Sequence, residues 1–486
     1  MNPTDSPAED PESPKAYALL GSESAERGRK LFLTSVVLLA GGLVYLGFTA
    51  NVETPLHLIQ GLAMFALAFV PSLQWARSGG SRFPVFEPIL LLCANAYAVP
   101  LLNAREQLAA YAPDVITRAG WTVILYEISA IVTYQTIRGR PGESRFWRES
   151  ILTPRVEGLI VYGLVPATVY IYISTFTTWI PADLESLLRA VFFGLSILCT
   201  FVSAQRWGRG EMPGLGKAVL FVCVLAQIIF TGTGLILISA FSLIGIALLG
   251  YVSGGKRIPW VVIIVAFVSM AVLHTGKTRM RTKYWELDNP VPTFSELPAF
   301  YREWIQFGLD TSEEDGKKTI SHKLIERTSL MHILCLVIDV TPSRQDYLYG
   351  RTYGYVLPQL IPRAFWPDKP RSHIATFDLS IYYGLQSEED TNSTTIAFGL
   401  LTEAYANFGL AGAVLLGVFW GWSLKKLQLL SAVSPMFSLA GLLMILLTAW
   451  SFSAELTMAA WVSSLEQAVV VVLGVPMLYR ALFPSD

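Results

Sequence analysis

Long apolar runs, separated by short polar connections, fill most of the chain. An α-helix needs roughly 20 predominantly apolar residues to cross a bilayer. Runs of about that length occupy residues 31–50, 56–73, 85–104, 119–137, 157–177, 186–204, 217–232, 235–252, 258–274, 397–422, 434–452 and 460–480. The pattern predicts an all-α polytopic integral membrane protein with about twelve transmembrane helices.

The polar stretches divide the predicted helices into groups. Residues 1–26 are rich in Pro, Ser, Glu and Asp, and we predict a disordered cytoplasmic tail over 1–30. A transmembrane bundle of about nine helices is predicted over 31–274, and about three more helices over 396–486. The interval between them, 275–395, is too long for a simple connection, so we expect a large, mainly helical loop domain there.

The positions of lysine and arginine predict the orientation, because cytoplasmic loops carry an excess of both. The loops Asn51–Thr54 and Thr178–Ser186 contain neither. Cations fill the alternate loops, on the side of the cationic N-terminus: Arg77 and Arg82; Arg138, Arg140, Arg145, Arg148 and Arg155; Arg206, Arg209 and Lys217; Lys256 and Arg257; Lys425 and Lys426. Both termini are therefore predicted to be cytoplasmic. The interval 275–395 is predicted to be external, which in a bacterium is the periplasmic side of the inner membrane.

Composition agrees with a membrane protein and argues against other classes. The chain is 53% hydrophobic and 15% charged, whereas soluble domains carry roughly 25% charged residues. A net charge of −1 gives no basic footprint for nucleic acid. No Asp-x-Asp pair suggests a divalent cation, and we predict no metal and no cofactor. The cysteines all lie in apolar runs and indicate core positions rather than a disulfide or zinc framework: Cys93, Cys199, Cys223 and Cys335.

Two groups of cations in the external interval are candidates for binding diphosphate. Arginine grips phosphate oxygens through a planar fork, and lysine does so as a point charge. The first group follows the ninth run, and the second is interleaved with aromatic residues and prolines: Arg279, Arg281 and Lys283; Arg351, Arg363, Lys369 and Arg371. The structural alternative for each cation is a solvated surface that faces lipid headgroups.

Glu403, Asn407 and His373 are the candidates for acid–base chemistry and substrate contact. Glu403 lies about one turn inside an apolar run, where an unpaired carboxylate costs about 2.5–3.5 kcal/mol. It is therefore either a base or half of an interaction that fixes the helix. Asn407 is one turn further and shares its face. His373 lies beside the second cation group and is the first candidate base, with a structural role as the alternative. Glu127, in the fourth run, is interpreted as structural.

Two segments resemble a known family. Leu360–Pro370 reads LIPRAFWPDKP and Thr402–Gly412 reads TEAYANFGLAG. Together they resemble the paired signature of bacterial oligosaccharide repeat-unit polymerases, the O-antigen polymerase (Wzy-type) proteins. Arg351-Thr352-Tyr353 and Arg279-Met280-Arg281 are also similar. The motifs lie within residues 275–412, and the N-terminal runs carry none.

The resemblance implies a metal-independent glycosyltransferase that acts on undecaprenyl-diphosphate-linked oligosaccharides at the periplasmic face. The growing glycan leaves its lipid carrier and joins a new lipid-linked unit. Cationic side chains would stabilise the departing diphosphate, and His373 or Glu403 would take the proton of the acceptor hydroxyl. The expected partners are the lipid-linked oligosaccharides, the bilayer, and chain-length regulator and export proteins.

Three alternatives remain open at this point. The nearest is a glycan transferase like the O-antigen ligases. A transporter or flippase of lipid-linked sugars predicts ionisable residues along a path at mid-membrane depth and paired repeats. A non-catalytic scaffold for polysaccharide assembly is the third. An enzyme requires that the candidate residues converge outside the membrane, and a transporter does not.

Overall fold

The computed structural model describes residues 24–78, 84–103, 105–139, 147, 160–180, 182–235, 237–286, 292–310, 329–361, 366, 368–392, 395–431, 434, 438–451, 453 and 455–482. Most of the predicted tail, residues 1–23, and the candidate residue Arg363 lie outside the described residues. Within the described ranges the chain is helical and forms no β-strand.

Every apolar run predicted as a membrane helix coincides with a helix. These helices are Ser24–Thr49, Pro55–Arg77, Phe86–Cys93 continued through Ala94–Ala98 to Val99–Asn103, Pro113–Thr136, Leu164–Phe176, Ala182–Arg209, Gly214–Gly232, Leu237–Ser253, Trp260–Arg281, Leu400–Ser431, Leu439–Trp450 and Met458–Leu482. The interval 275–395 contributes the helices Leu297–Leu309, Met331–Val340 and Ile374–Tyr382. Three of these helices are named here for their positions: the central helix (Pro113–Thr136), the broken helix (Leu400–Ser431) and the C-terminal helix (Met458–Leu482).

Seven helices in the described part of the chain are long and apolar enough to cross a membrane. They are Gly28–Thr49, Pro55–Arg77, Phe86–Asn103, Pro113–Thr136, Gly214–Gly232, Trp260–Lys277 and Leu400–Leu430. Shorter apolar helices include Val161–Phe176, Phe241–Ser253, Met331–Val340 and Leu439–Thr448. These lengths and compositions are those of a helical membrane protein.

The central helix and the broken helix run side by side in the same direction. Ser129 Oγ donates to the carbonyl oxygen of Val414 at 3.1 Å, and further along Tyr134 Oη donates to Gln428 Oε1 at 2.7 Å. Residue numbers therefore rise together along the pair, and Pro113 and Leu400 mark the same end of the bundle. Glycine permits the close approach, because a Cβ on Gly417 would overlap Ser129 Oγ.

Replacing Gly417 by alanine is expected to destabilise this helix pair. A Cβ there would also lie 2.5 Å from the carbonyl oxygen of Tyr126, so one helix has to move. Overpacking of this kind costs about 1–3 kcal/mol. Thermal unfolding of the purified protein measures the loss. Gly474→Ala is the matched control, because no described atom lies within 4 Å of a Cβ at that position. Equal melting temperatures for the two variants would contradict the packing argument.

The described residues of the interval 275–395 contribute to two apolar clusters. Phe300 and Trp304, on the helix Leu297–Leu309, form a small apolar cluster with Leu235 and Met280. The helix Met331–Val340 instead joins the main core, which includes the central and broken helices. The helix Met331–Val340 is too short to span a membrane, and most of its apolar residues are buried in the structure.

Candidate functional site

The broken helix is interrupted next to the candidate residues. Phe408 and Gly409 have non-helical backbone angles, and Gly409 has a φ of +60°, which favours glycine. The break leaves the last carbonyl groups of the first half-helix without partners in their own helix. The interval 275–395 supplies those partners: the N–H of Leu348 donates to Ala406 O at 3.0 Å, and that of Tyr349 to Asn407 O at 3.1 Å.

Asn407 binds the turn of residues 350–352, called here the Arg351 turn, to the broken helix. Its Oδ1 accepts from the N–H of Gly350 at 2.9 Å, and its Nδ2 donates to Thr352 Oγ1 at 2.7 Å and to Glu403 O at 2.8 Å. The side chain is fully buried. All three contacts are internal to the protein, so Asn407 positions other residues.

Glu403 is a buried carboxylate with one bonded oxygen. Its Oε2 accepts from the N–H of Met458 at 2.6 Å, and Met458 is the first residue of the C-terminal helix. The positive end of that helix favours a negative charge. The other oxygen, Oε1, is buried and forms no hydrogen bond within the described residues. Glu403 therefore fixes one helix to another, as the structural alternative held. Its carboxylate also interacts with the hydroxyl of Thr352.

Tyr353 borders the Glu403 carboxylate. Burial, with a smaller contribution from the charge of Glu403, raises the pKa of the Tyr353 hydroxyl. The tyrosine ring stacks on Phe408 at the helix break, with the ring centroids 6.2 Å apart. The Tyr353 ring therefore lies close to the end of the first half-helix.

Arg351 forms a bidentate ion pair with Asp378. Its Nε donates to Oδ2 at 2.9 Å and its NH2 nitrogen to Oδ1 at 2.8 Å. The guanidinium also lies over the ring of Tyr382, 5.0 Å from the centroid. The arginine side chain is 45% exposed, so solvent reaches it while the fork is engaged. Asp378 is the residue that orients this arginine.

Lys369 joins the two ends of the Leu360–Pro370 motif. Its Nζ donates to Gln359 O at 3.1 Å and to Ile361 O at 2.7 Å. It also lies close enough to Glu466, on the C-terminal helix, to interact electrostatically with it. Lys369 is 9% exposed and holds the segment that carries Arg363, which itself lies outside the described residues.

His373 stands at the start of the helix Ile374–Tyr382, which also carries Asp378. Partial burial lowers the pKa of the imidazole, because the charged form is desolvated. The neutral ring, which can accept a proton, is therefore favoured near neutral pH. Further along this helix, Thr376 Oγ1 lies 3.0 Å from Thr457 Oγ1, immediately before Met458. The helix that follows His373 and the Glu403 carboxylate therefore contact adjacent residues, Thr457 and Met458, at the start of the C-terminal helix.

The first cation group lies elsewhere and is engaged with other residues. Arg279 pairs with Asp310 at 2.9 Å, and Lys283 pairs with Glu303 at 2.6 Å. Arg281 donates to Leu235 O at 3.2 Å. Among the described residues, these contacts tie the end of Trp260–Arg281 to the helix Leu297–Leu309 rather than to the Glu403 region. The contacts bring Arg351, Lys369, His373, Glu403 and Asn407 into one neighbourhood, and they leave Arg279 and Arg281 in another.

Thr352, Asp378 and the N–H of Met458 are site groups that sequence reasoning did not assign. The neighbouring Arg351-Thr352-Tyr353 motif was a signal for Thr352. Asp378 and Met458 gave none, because their roles depend on contacts between distant segments. No group of three or more His, Cys, Asp or Glu side chains suited to a metal ion occurs among the described residues.

Comparison with known proteins gives one family match. No curated protein and no solved structure matches the chain significantly. The family described as "Domain of unknown function (DUF8712)" matches residues 165–432, which include every predicted site residue. The match covers just over half of the chain, and the protein therefore belongs to this family.

Proposed function

We propose that the protein is a membrane glycosyltransferase that polymerises undecaprenyl-diphosphate-linked oligosaccharide repeat units. The proposal rests on the resemblance of its two motifs to O-antigen polymerases. In this proposal, about twelve helices cross the bacterial inner membrane, both termini are cytoplasmic, and 275–395 faces the periplasm. The reaction needs no metal, and its product is a surface polysaccharide.

One observation carries the proposal: a turn with an oriented, solvent-accessible arginine is fixed to the half-helix of a buried carboxylate. Asn407 accepts from the N–H of Gly350 and donates to Thr352 Oγ1, on either side of Arg351, and it also donates to Glu403 O. A transferase for lipid diphosphates needs a base and a cation that the protein holds in place.

The residues divide the reaction between them. The acceptor hydroxyl attacks the anomeric carbon of the growing glycan, and a new C–O bond forms there. The bond from that carbon to the carrier diphosphate breaks, and its electron pair goes to the diphosphate oxygen. Glu403 takes the hydroxyl proton in this scheme, with His373 as the second candidate base. In the same scheme, the positive charges of Arg351, Lys369 and Arg363 stabilise the departing diphosphate.

Replacing Arg351 by alanine is expected to lower chain extension about 10- to 100-fold. A charge-assisted hydrogen bond contributes about 1.5–3 kcal/mol when sheltered from water. Arg351→Lys should not restore activity, because lysine lacks the planar fork. The measurement incubates purified protein with a defined lipid-linked oligosaccharide and sizes the products.

Arg344→Ala is the matched control for this experiment. Arg344 also pairs with an aspartate of the external interval, Asp339, at 2.6 Å, and its side chain is 68% exposed. Loss of a surface ion pair has little effect. If Arg344→Ala and Arg351→Ala reduce extension equally, Arg351 has no special role in binding diphosphate.

A transporter of lipid-linked sugars is the second candidate, and Glu127 is the observation that favours it. This residue of the central helix is fully buried, and neither carboxylate oxygen forms a hydrogen bond within the described residues. Ionisable groups inside a membrane often mark transport pathways. The transferase is preferred because the resemblance and the Arg351 turn both involve the external segment.

A further inference from the structure

A cavity of about 390 Å³ is not lined by Glu403, and the proposed reaction does not use it. Ligand pockets in proteins measure about 300–1,000 Å³. The cavity lies between the connection that precedes Pro55 and the residues that precede the central helix. Its walls include the polar residues Asn51, Glu53, His57, Arg105 and Tyr111.

This cavity lies at the end of the bundle that carries Glu403. Because the central and broken helices run in the same direction, the residues that precede Pro113 are at the Leu400 end. Tyr111 also faces the external interval. Burial, with smaller contributions from Cys335 and Asp339 on the helix Met331–Val340, raises its pKa to about 12. The cavity is therefore built at the external side in the proposed topology.

The polar walls are held in place by the protein. His57 is 2% exposed, and its Nε2 lies 3.2 Å from Pro113 O and 3.1 Å from Thr117 Oγ1. Within the described residues, Nδ1 of this ring forms no hydrogen bond. The N–H of Asn51 donates to Leu102 O at 2.8 Å, and Arg105 reaches Asn51 Oδ1 at 3.3 Å. A buried polar ring and an anchored loop thus border the open space.

The polar and aromatic side chains that line the cavity indicate the class of ligand that it binds. Glu53 supplies an acceptor and Arg105 supplies donors, so the two charges offset each other and a phosphate would face a carboxylate. Hydroxyl groups can bond to both residues. The ring of Tyr111 offers an aromatic surface against which the apolar face of a sugar can pack. These features suit an uncharged saccharide ring better than a lipid headgroup.

We infer that this cavity binds a sugar ring of the acceptor oligosaccharide. The inference rests on the proposed function for the identity of the ligand. A glycan bound here lies at the same end of the bundle as the Glu403 carboxylate. The cavity is a binding subsite, and its residues take no part in bond making or breaking.

The test measures binding and extension separately with the full-length protein in detergent. The saccharide probe is the mixture of oligosaccharides released by mild acid from polyprenyl-linked lipids of cells that produce the protein. Inorganic pyrophosphate is the anion probe. Glu53→Gln and Arg105→Gln are expected to raise the dissociation constant for the saccharide at least 10-fold and to leave pyrophosphate binding unchanged. Both residues are exposed, so folding should persist.

Arg209→Gln and Glu211→Gln are the matched controls, because this exposed pair, 3.7 Å apart, lies outside the cavity. Unchanged saccharide binding in the cavity variants overturns the inference, as does a loss confined to pyrophosphate. If the wild-type protein extends chains and both cavity variants keep its KM, the inference fails and the proposed function stands. If the wild-type protein extends nothing but binds saccharide through Glu53 and Arg105, the proposed function fails and the site stands.

Discussion

Glu403→Gln is expected to lower chain extension about 10²- to 10⁴-fold, which is the usual contribution of a positioned general base. Glutamine keeps the size of the side chain and an oxygen that can accept from the N–H of Met458, so the contact with the C-terminal helix survives. It removes the group that can take a proton. The measurement compares single-turnover extension of a lipid-linked oligosaccharide by the variant and by wild-type protein.

Glu127→Gln is the control for this prediction. Both carboxylates are fully buried on helices that pack together, so the same substitution imposes a similar change of charge. We expect Glu127→Gln to retain extension activity. The opposite pattern, with Glu403→Gln active and Glu127→Gln defective in moving lipid-linked sugars across vesicle membranes, would favour the transporter.

The helix positions could be predicted because apolar runs in a bilayer must satisfy their backbone groups internally. Their ends were harder to predict. The central helix begins at Pro113, earlier than the predicted residue 119, since proline is favoured in the first turn of a helix. The N-terminal helix begins at Ser24, within the last residues of the predicted tail. Because the residues at these helix ends are polar, the length of the apolar run does not show where the helix begins.

The break at Gly409 could not be predicted from the sequence. Nothing in the sequence distinguishes this residue from Gly412 and Gly417 in the same run. Its positive φ instead ends the first half-helix, and the broken carbonyl groups depend on the N–H groups of Leu348 and Tyr349. A Cβ on Gly409 would also lie 2.7 Å from the hydroxyl oxygen of Tyr347. The break therefore depends on contacts between the broken helix and the segment that contains Leu348 and Tyr349.

The roles of the two cation groups also depend on contacts between distant segments and could not be predicted from the sequence. Their composition made both groups candidates for binding diphosphate, but Arg279 is paired with Asp310 and Lys283 with Glu303. Arg351 is oriented by Asp378, 27 residues further along the chain. Neither pairing has a local sequence signal. Residue type indicated the chemistry, and only the fold showed that Arg351 lies on a turn bound to the broken helix whereas Arg279 and Lys283 fix another pair of helices.

Asn407→Ala is expected to destabilise the protein by about 3–5 kcal/mol, because its three hydrogen bonds are lost together and buried partners are orphaned at about 1–3 kcal/mol each. The N–H of Gly350 loses its acceptor, and the Thr352 hydroxyl loses its donor. Unfolding of the purified protein in detergent with increasing denaturant measures the change. Thr352→Val removes only one of these bonds and should cost about 1 kcal/mol. If Asn407→Ala is no less stable than Thr352→Val, then Asn407 does not hold the Arg351 turn on the broken helix, and the link between that arginine and Glu403 has to be abandoned.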